Sequence, residues 1–209
     1  NRVDPWGKLV ATPARGTLLG NRGILHNKQK QIVKTYQHQN WVTCKLQYKG
    51  RKRILMSPHK YTELFFLDEA TAFAAGHRPC AEWERYLEFK DYWVRANLGQ
   101  QPEDVKASVI SKTMHTERIG KKEKLTFRAE LKDLPAGTIF SNSGMAYLVF
   151  ADSVCLWSFE GYHPADRIKL PDEVEVLTPR SIVKAFKLGF KPEIHESITG
   201  WGRSAVFEI

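Results

Sequence analysis

The spacing of apolar positions changes several times along the chain. Val42, Cys44, Leu46 and Tyr48 alternate with Thr43, Lys45 and Gln47, the two-residue repeat of a half-buried strand. Gly50 follows inside the run Lys49-Gly50-Arg51-Lys52-Arg53, so residues 41–56 are predicted to form a hairpin with a basic turn. Residues 61–67 read as a second strand. Asp68 is placed to cap a short helix reaching Ala75, and Gly76 is placed to stop it in the left-handed conformation. Pro79 is expected to open a longer helix to about Asn97, with Trp83, Tyr86, Leu87 and Val94 as its apolar stripe. In 103–119, Val105, Val109, Ile110 and Met114 recur at helical spacing. Strand patterns return at 138–140, 145–150, 154–159 and 173–177, with a Ser-Asn-Ser-Gly turn between the first two. Thr178-Pro179 starts a last helix that Gly189 ends. Residues 1–30 show little periodicity and read as turns and short extended pieces.

Strands and helices thus come in blocks without the regular alternation of a parallel sheet, which predicts an α+β fold. The expectation is a mixed or antiparallel sheet with several helices, as a single compact domain or two closely packed lobes. Residues 1–100 are assigned to a basic nucleic-acid-binding region, and 101–209 to an α+β region packed against it. No run approaches the roughly 18 apolar residues of a membrane span, and the opening Asn-Arg-Val-Asp-Pro-Trp has no secretory core. The absence of an initiating Met reads as a start inside a longer product. Cys44, Cys80 and Cys155 are an odd, widely spaced set; this fits a reduced, cytoplasmic setting better than a disulfide scaffold.

Charge sharpens this picture. Thirteen of the first 60 residues are Lys or Arg and only Asp4 is acidic, a formal charge of +12 within a chain of +9 overall. A cationic region on a near-neutral body is the footprint of a polyanion-binding face, since each cation that neutralises a phosphate releases condensed counterions. DNA is the expected partner, with RNA not excluded and no membrane expected. Candidate contacts are Arg15, Asn21 and Arg22 in the glycine-rich stretch 15–23, the hairpin cations Lys49, Arg51, Lys52 and Arg53, and Arg78. Interleaved rings such as Trp6, Tyr36 and Trp41 are available to stack on bases or to fill the core.

Residues 66–80, running from Phe66-Leu67-Asp68-Glu69 through Ala75-Gly76-His77-Arg78-Pro79-Cys80, resemble the end of the zinc-binding domain of bacterial methylphosphotriester DNA repair methyltransferases. That family continues Cys-x-x-Cys, whereas Trp83 stands at the second position here. Tetrahedral zinc needs four ligands, so the expectation is a degenerate site with no metal and no other cofactor. Residues 14–23, 61–70 and 176–179 also resemble a set of uncharacterised bacterial proteins. A weaker association, carried by no residue motif, is with antiviral DNA glycosylases that remove modified bases. The chain repeats the Gly76-His77-Arg78-Pro79 pattern as Gly189-Phe190-Lys191-Pro192, either as two helix ends or as two loops serving one ligand.

No complete catalytic signature is present. The acids that interrupt the basic region are Glu63 and Asp68, and His77 follows close by. Together they are the candidate catalytic residues of a metal-independent DNA glycosylase: a carboxylate to stabilise an oxocarbenium-like sugar or orient water, and a histidine to donate a proton. Helix capping is the simpler explanation for Asp68, and an ion pair with a neighbouring cation for Glu63. A second constellation is His115-Thr116-Glu117-Arg118, at a helix end. The alternatives to base excision are a non-catalytic nucleic-acid-binding module and a nuclease.

Overall fold

The computed structural model describes residues 1–46, 54–121 and 123–199. It is an α+β fold in one compact domain, with two sheets and four helices among those residues. The first sheet is built from β1 (Arg2–Val3), β2 (Leu9–Val10), β3 (Leu18–Asn21), β4 (Val42–Lys45), β5 (Leu64–Phe66) and β6 (Arg78–Pro79). Its order is β2-β1-β5-β3-β4-β6, with β1/β5 and β4/β6 parallel and the other pairs antiparallel. The second sheet takes β7 (Phe127–Glu130), β8 (Ile139–Asn142), β9 (Met145–Phe150), β10 (Ser153–Trp157), β11 (Tyr162–Ala165) and β12 (Glu173–Val176). It is antiparallel throughout, in the order β11-β10-β9-β8-β12-β7. The helices are α1 (Glu69–Ala74), α2 (Arg85–Asn97), α3 (Ala107–Arg118) and α4 (Arg180–Leu188).

Local chemistry explains several of these bounds. Asp68 caps α1 through Oδ1, which accepts the Thr71 N–H at 2.8 Å, and Gly76 leaves the helix at φ +82°. Ser143 and Gly144 both have positive φ, the tight two-residue turn that closes β8 onto β9. Gly189 ends α4 at φ +120°.

Elsewhere tertiary structure overrides the local pattern. Pro79 does not open a helix: it lies in β6 opposite Thr43, and α2 starts later, at Arg85. The buried stripe of α2 is Tyr86, Phe89, Trp93 and Val94, which follows the helical period, while Leu87 falls off it and is 71% exposed. Among the described residues of the hairpin predicted at 41–56, only the first strand is present, as β4. Both edges of β4 are taken, by β3 and β6, and residues 54–56 form turns rather than a return strand. Its basic tip, with Lys49, Arg51, Lys52 and Arg53, lies outside the described residues. The glycine-rich stretch 15–23 is not an exposed loop either, because Leu18, Leu19 and Gly20 form buried β3. A Cβ on Gly20 would come within 2.3 Å of the Phe66 ring, so this glycine serves close packing rather than phosphate approach.

The cores cross residue 100. Phe73, Phe89, Trp93, Ile110, Phe186 and Phe190 pack in one cluster, and the Phe89 and Phe190 rings lie 5.7 Å apart. Leu67, Ala70 and Ala74 pack with Ile139, Leu148 and Tyr162 in another. The two halves of the chain therefore share their interiors.

Candidate anion-binding pocket

Three cations from three parts of the chain converge on one cavity of about 710 Å³: Arg22 just after β3, Arg118 at the end of α3, and Lys124 in the segment before β7. Arg118 is there because the buried face of α3 runs Ile110, Met114, Arg118, one residue per turn, so the last position of an apolar stripe carries a guanidinium. Arg22 is 1% and Arg118 2% exposed. Lys124 is half-buried and its Nζ donates to the Ala74 carbonyl at 2.5 Å.

The hydrogen bonds of both guanidinium groups go to neutral acceptors. Arg22 donates from Nη1 to the Gly7 carbonyl at 2.8 Å and from Nε to His77 Nε2 at 3.1 Å. Arg118 donates from Nη1 to the Gly76 carbonyl and from Nη2 to the Gln39 carbonyl, each at 2.7 Å. Each guanidinium carbon also sits 4.0 Å from the Trp41 ring, a cation–π contact that grows as water is excluded. The buried Arg22 Nη2 and Arg118 Nε have no hydrogen-bond partner among the described residues. Among the described residues, none of the three cations makes an ion pair.

The electrostatic consequence follows directly. Burial pulls Arg22 down to about 9, against the pull of Asp4. Burial, then the charges of Arg22 and Arg78, pulls Arg118 to about 9. Burial and the two arginines bring Lys124 to about 7. Asp4 is the buried acid of this neighbourhood, and burial raises its own carboxyl despite hydrogen bonding by Lys8. Lys8 and Lys34 add charge at the rim, while Glu123 and Glu175 are the carboxylates of the wall. Unpaired buried charge costs stability; a cluster of like charge around an open cavity recovers that cost when an anion enters.

The sequence-predicted site residues are scattered with respect to this pocket. His77 is fully buried behind it, and burial followed by the nearby Arg22, Arg118 and Lys124 charges holds its pKa well below the usual histidine value. Its Nε2 accepts from Arg22, so it is a neutral acceptor and not the proton donor the sequence suggested. Glu63 is 4% exposed and accepts the Met56 N–H through Oε2 at 2.9 Å. Asp68 is saturated by Thr71 N and Oγ1 on one oxygen, and by Tyr162 Oη and His195 N on the other. It borders a separate cavity of about 320 Å³. The structure does not bring Glu63, Asp68 and His77 together as a catalytic group. Tight capping accounts for Asp68, and the Arg22 bond accounts for His77.

Among the proposed nucleic-acid contacts, Arg15 is exposed. Asn21 folds back, its Oδ1 accepting the Gly23 N–H at 2.8 Å. Arg78 is 5% exposed and committed to Ser111 Oγ and the Pro79 carbonyl, which leaves it no reach toward a phosphate chain. The echo between Gly76-His77 and Gly189-Phe190 is a pair of helix ends, for His77 and Phe190 are both buried. No group of three or more His, Cys, Asp or Glu side chains among the described residues is arranged to hold a metal ion. Lys124 was not among the expected site residues, and Arg118 entered only as part of a helix-end constellation; the four-residue repeat through Ile110 and Met114 was the signal that places Arg118 inside.

No family model, curated protein or solved structure matches the chain. The chemistry of the pocket rests on its own geometry. No helix among the described residues is long and apolar enough to cross a membrane.

Proposed function

We propose that the protein binds nucleic acid, DNA foremost, by seating a phosphate-bearing nucleotide unit in the Arg22–Arg118–Lys124 pocket. The observation that carries this reading is the convergence of two buried arginines and the half-buried Lys124, none in an ion pair among the described residues, on a cavity large enough for more than an inorganic ion. Arginine forks suit phosphate oxygens, and both guanidinium groups border the cavity, where their charge acts on whatever enters it. The cations of the first 60 residues add a longer-range attraction that concentrates a polyanion near the opening.

Base excision is the second reading, favoured by one observation: Glu123 and Glu175 line the same cavity as the cations. A nucleotide held there by its phosphate meets carboxylates able to stabilise positive charge on a sugar or to orient water. The separating experiment incubates the protein with plain and base-modified DNA and then treats it with alkali. Breaks that appear only after alkali establish glycosylase activity, breaks before alkali establish a nuclease, and retention of the oligonucleotide without product establishes a binding module. Failure to retain any oligonucleotide at low ionic strength, with no product, rejects both readings.

A further inference from the structure

A second feature, independent of the pocket, lies at the edge of the first sheet. In the parallel pair β4/β6, Val42 is opposite Arg78 and Thr43 opposite Pro79. The ladder runs one step further, because the Cys80 N–H donates to the Thr43 carbonyl at 2.8 Å. Cys44 and Cys80 are therefore in register on neighbouring strands. They also share a face: Thr43 is fully buried on one side of β4, while Val42 and Cys44, both half-buried, lie on the other. Neighbouring strands are spaced roughly 4.8 Å apart, inside the span of about 4.4–6.8 Å that a disulfide bridges between Cα atoms. The Cys44 side chain is also the largest influence that lowers the Cys80 thiol.

The pair has the asymmetry of an attacking and a resolving thiol. Cys80 Sγ accepts the Glu82 N–H at 3.4 Å, and its thiol is lowered to about 6, chiefly by Cys44 and against the opposing effect of burial. A substantial fraction is thiolate near neutral pH, the form that attacks disulfides. Cys155 is the contrast: it is fully buried in the other sheet and raised to about 11 by burial. Neither member of the pair is in a disulfide, and both residues are half-buried rather than enclosed in the core.

We propose that Cys44 and Cys80 form a reversible redox site that exchanges with a small-molecule disulfide of the glutathione class. The Cys80 thiolate attacks one sulfur of oxidised glutathione, the S–S bond breaks, and one glutathione leaves as thiolate and takes a proton from water. The Cys44 thiol then gives its proton to solvent and attacks the Cys80 sulfur of the mixed disulfide, expelling the second glutathione. The two cysteines lose two electrons, and the glutathione disulfide gains them. The bridge covalently staples β4 to the chain leaving β6, next to Trp83, whose N–H already donates to the Cys80 carbonyl. Reduced glutathione reverses both steps.

The test equilibrates the intact protein in mixtures of reduced and oxidised glutathione, traps remaining thiols by alkylation, and maps the products by mass spectrometry. The expected result is an intramolecular Cys44–Cys80 disulfide that forms and disappears as the ratio is changed, with Cys155 alkylated only after denaturation. In Cys44→Ser the resolving thiol is gone, and Cys80 should accumulate a persistent glutathione adduct. Three results would overturn the proposal: both thiols staying reduced in excess oxidised glutathione, a bridge that uses Cys155, or a bridge between molecules. Because the wild-type titration decides the matter alone, a poorly folding variant leaves it falsifiable.

Discussion

Asp68 shows how a carboxylate in a suggestive sequence setting can be spent entirely on structure. Its two oxygens receive four hydrogen bonds, from Thr71, Tyr162 and His195, and the first of these was legible as a helix cap. The others join β11 and the segment after α4 to the start of α1, contacts of long sequence separation that no local pattern encodes. Removing a buried acceptor strands its donors at roughly 1–3 kcal/mol each. Asp68→Ala should therefore lower the unfolding free energy by about 3 kcal/mol or more in urea denaturation. Lys124 carries the opposite lesson, being decisive in space and unremarkable in sequence. Its folded pKa of about 7 lies below the ordinary 10.5, so between those values the unfolded chain holds more protons and stability rises with pH. A bound phosphate favours the charged form, so oligonucleotide affinity should be greatest below about pH 7 and decline above it. Lys124→Met should flatten that decline, as measured by fluorescence anisotropy across pH.

At the level of elements, the clearest signals were those in which one residue type is physically required. Gly76 and Gly189 end helices because their φ values are positive, and the Ser143-Gly144 turn follows the same rule. Strand β3 was missed because its glycine and short length resemble a turn, while its real determinant is the Phe66 ring packed over Gly20. Strand β6 was missed because Pro79 is a good helix opener locally; pairing with β4 decides otherwise. Within α2 the helical period picks out Phe89 rather than Leu87. Phe89→Ala should cost about 3–5 kcal/mol, whereas Leu87→Ala should stay within about 0.5 kcal/mol, both read from denaturant midpoints. Gly76 also couples an element to the pocket, since a Cβ there would lie 2.4 Å from Arg118 Cδ. Gly76→Ala should displace Arg118 and weaken oligonucleotide binding along with stability. A variant that binds as tightly as wild type would show that Arg118 does not need its present position.

Across the whole molecule, block composition was enough to read an α+β fold, and the asymmetric charge was enough to suggest a polyanion. Neither could place the pocket, because Arg22 comes from just after β3, Arg118 from α3 and Lys124 from the approach to the second sheet. A division of the chain at residue 100 separates those groups, whereas folding brings them to one cavity, with both arginines over Trp41. Charge counting over the first 60 residues also overstated the surface, since Arg2 and Arg22 lie inside the protein. The central claim is that the pocket cations engage nucleic-acid phosphate, and a salt titration of single-stranded oligonucleotide binding tests it most directly. The logarithm of affinity should fall linearly with the logarithm of salt concentration, and Lys124→Met should weaken binding and reduce the slope by about 1 while the fold, checked by circular dichroism, is retained. An unchanged slope and affinity in a folded Lys124→Met protein would contradict the account.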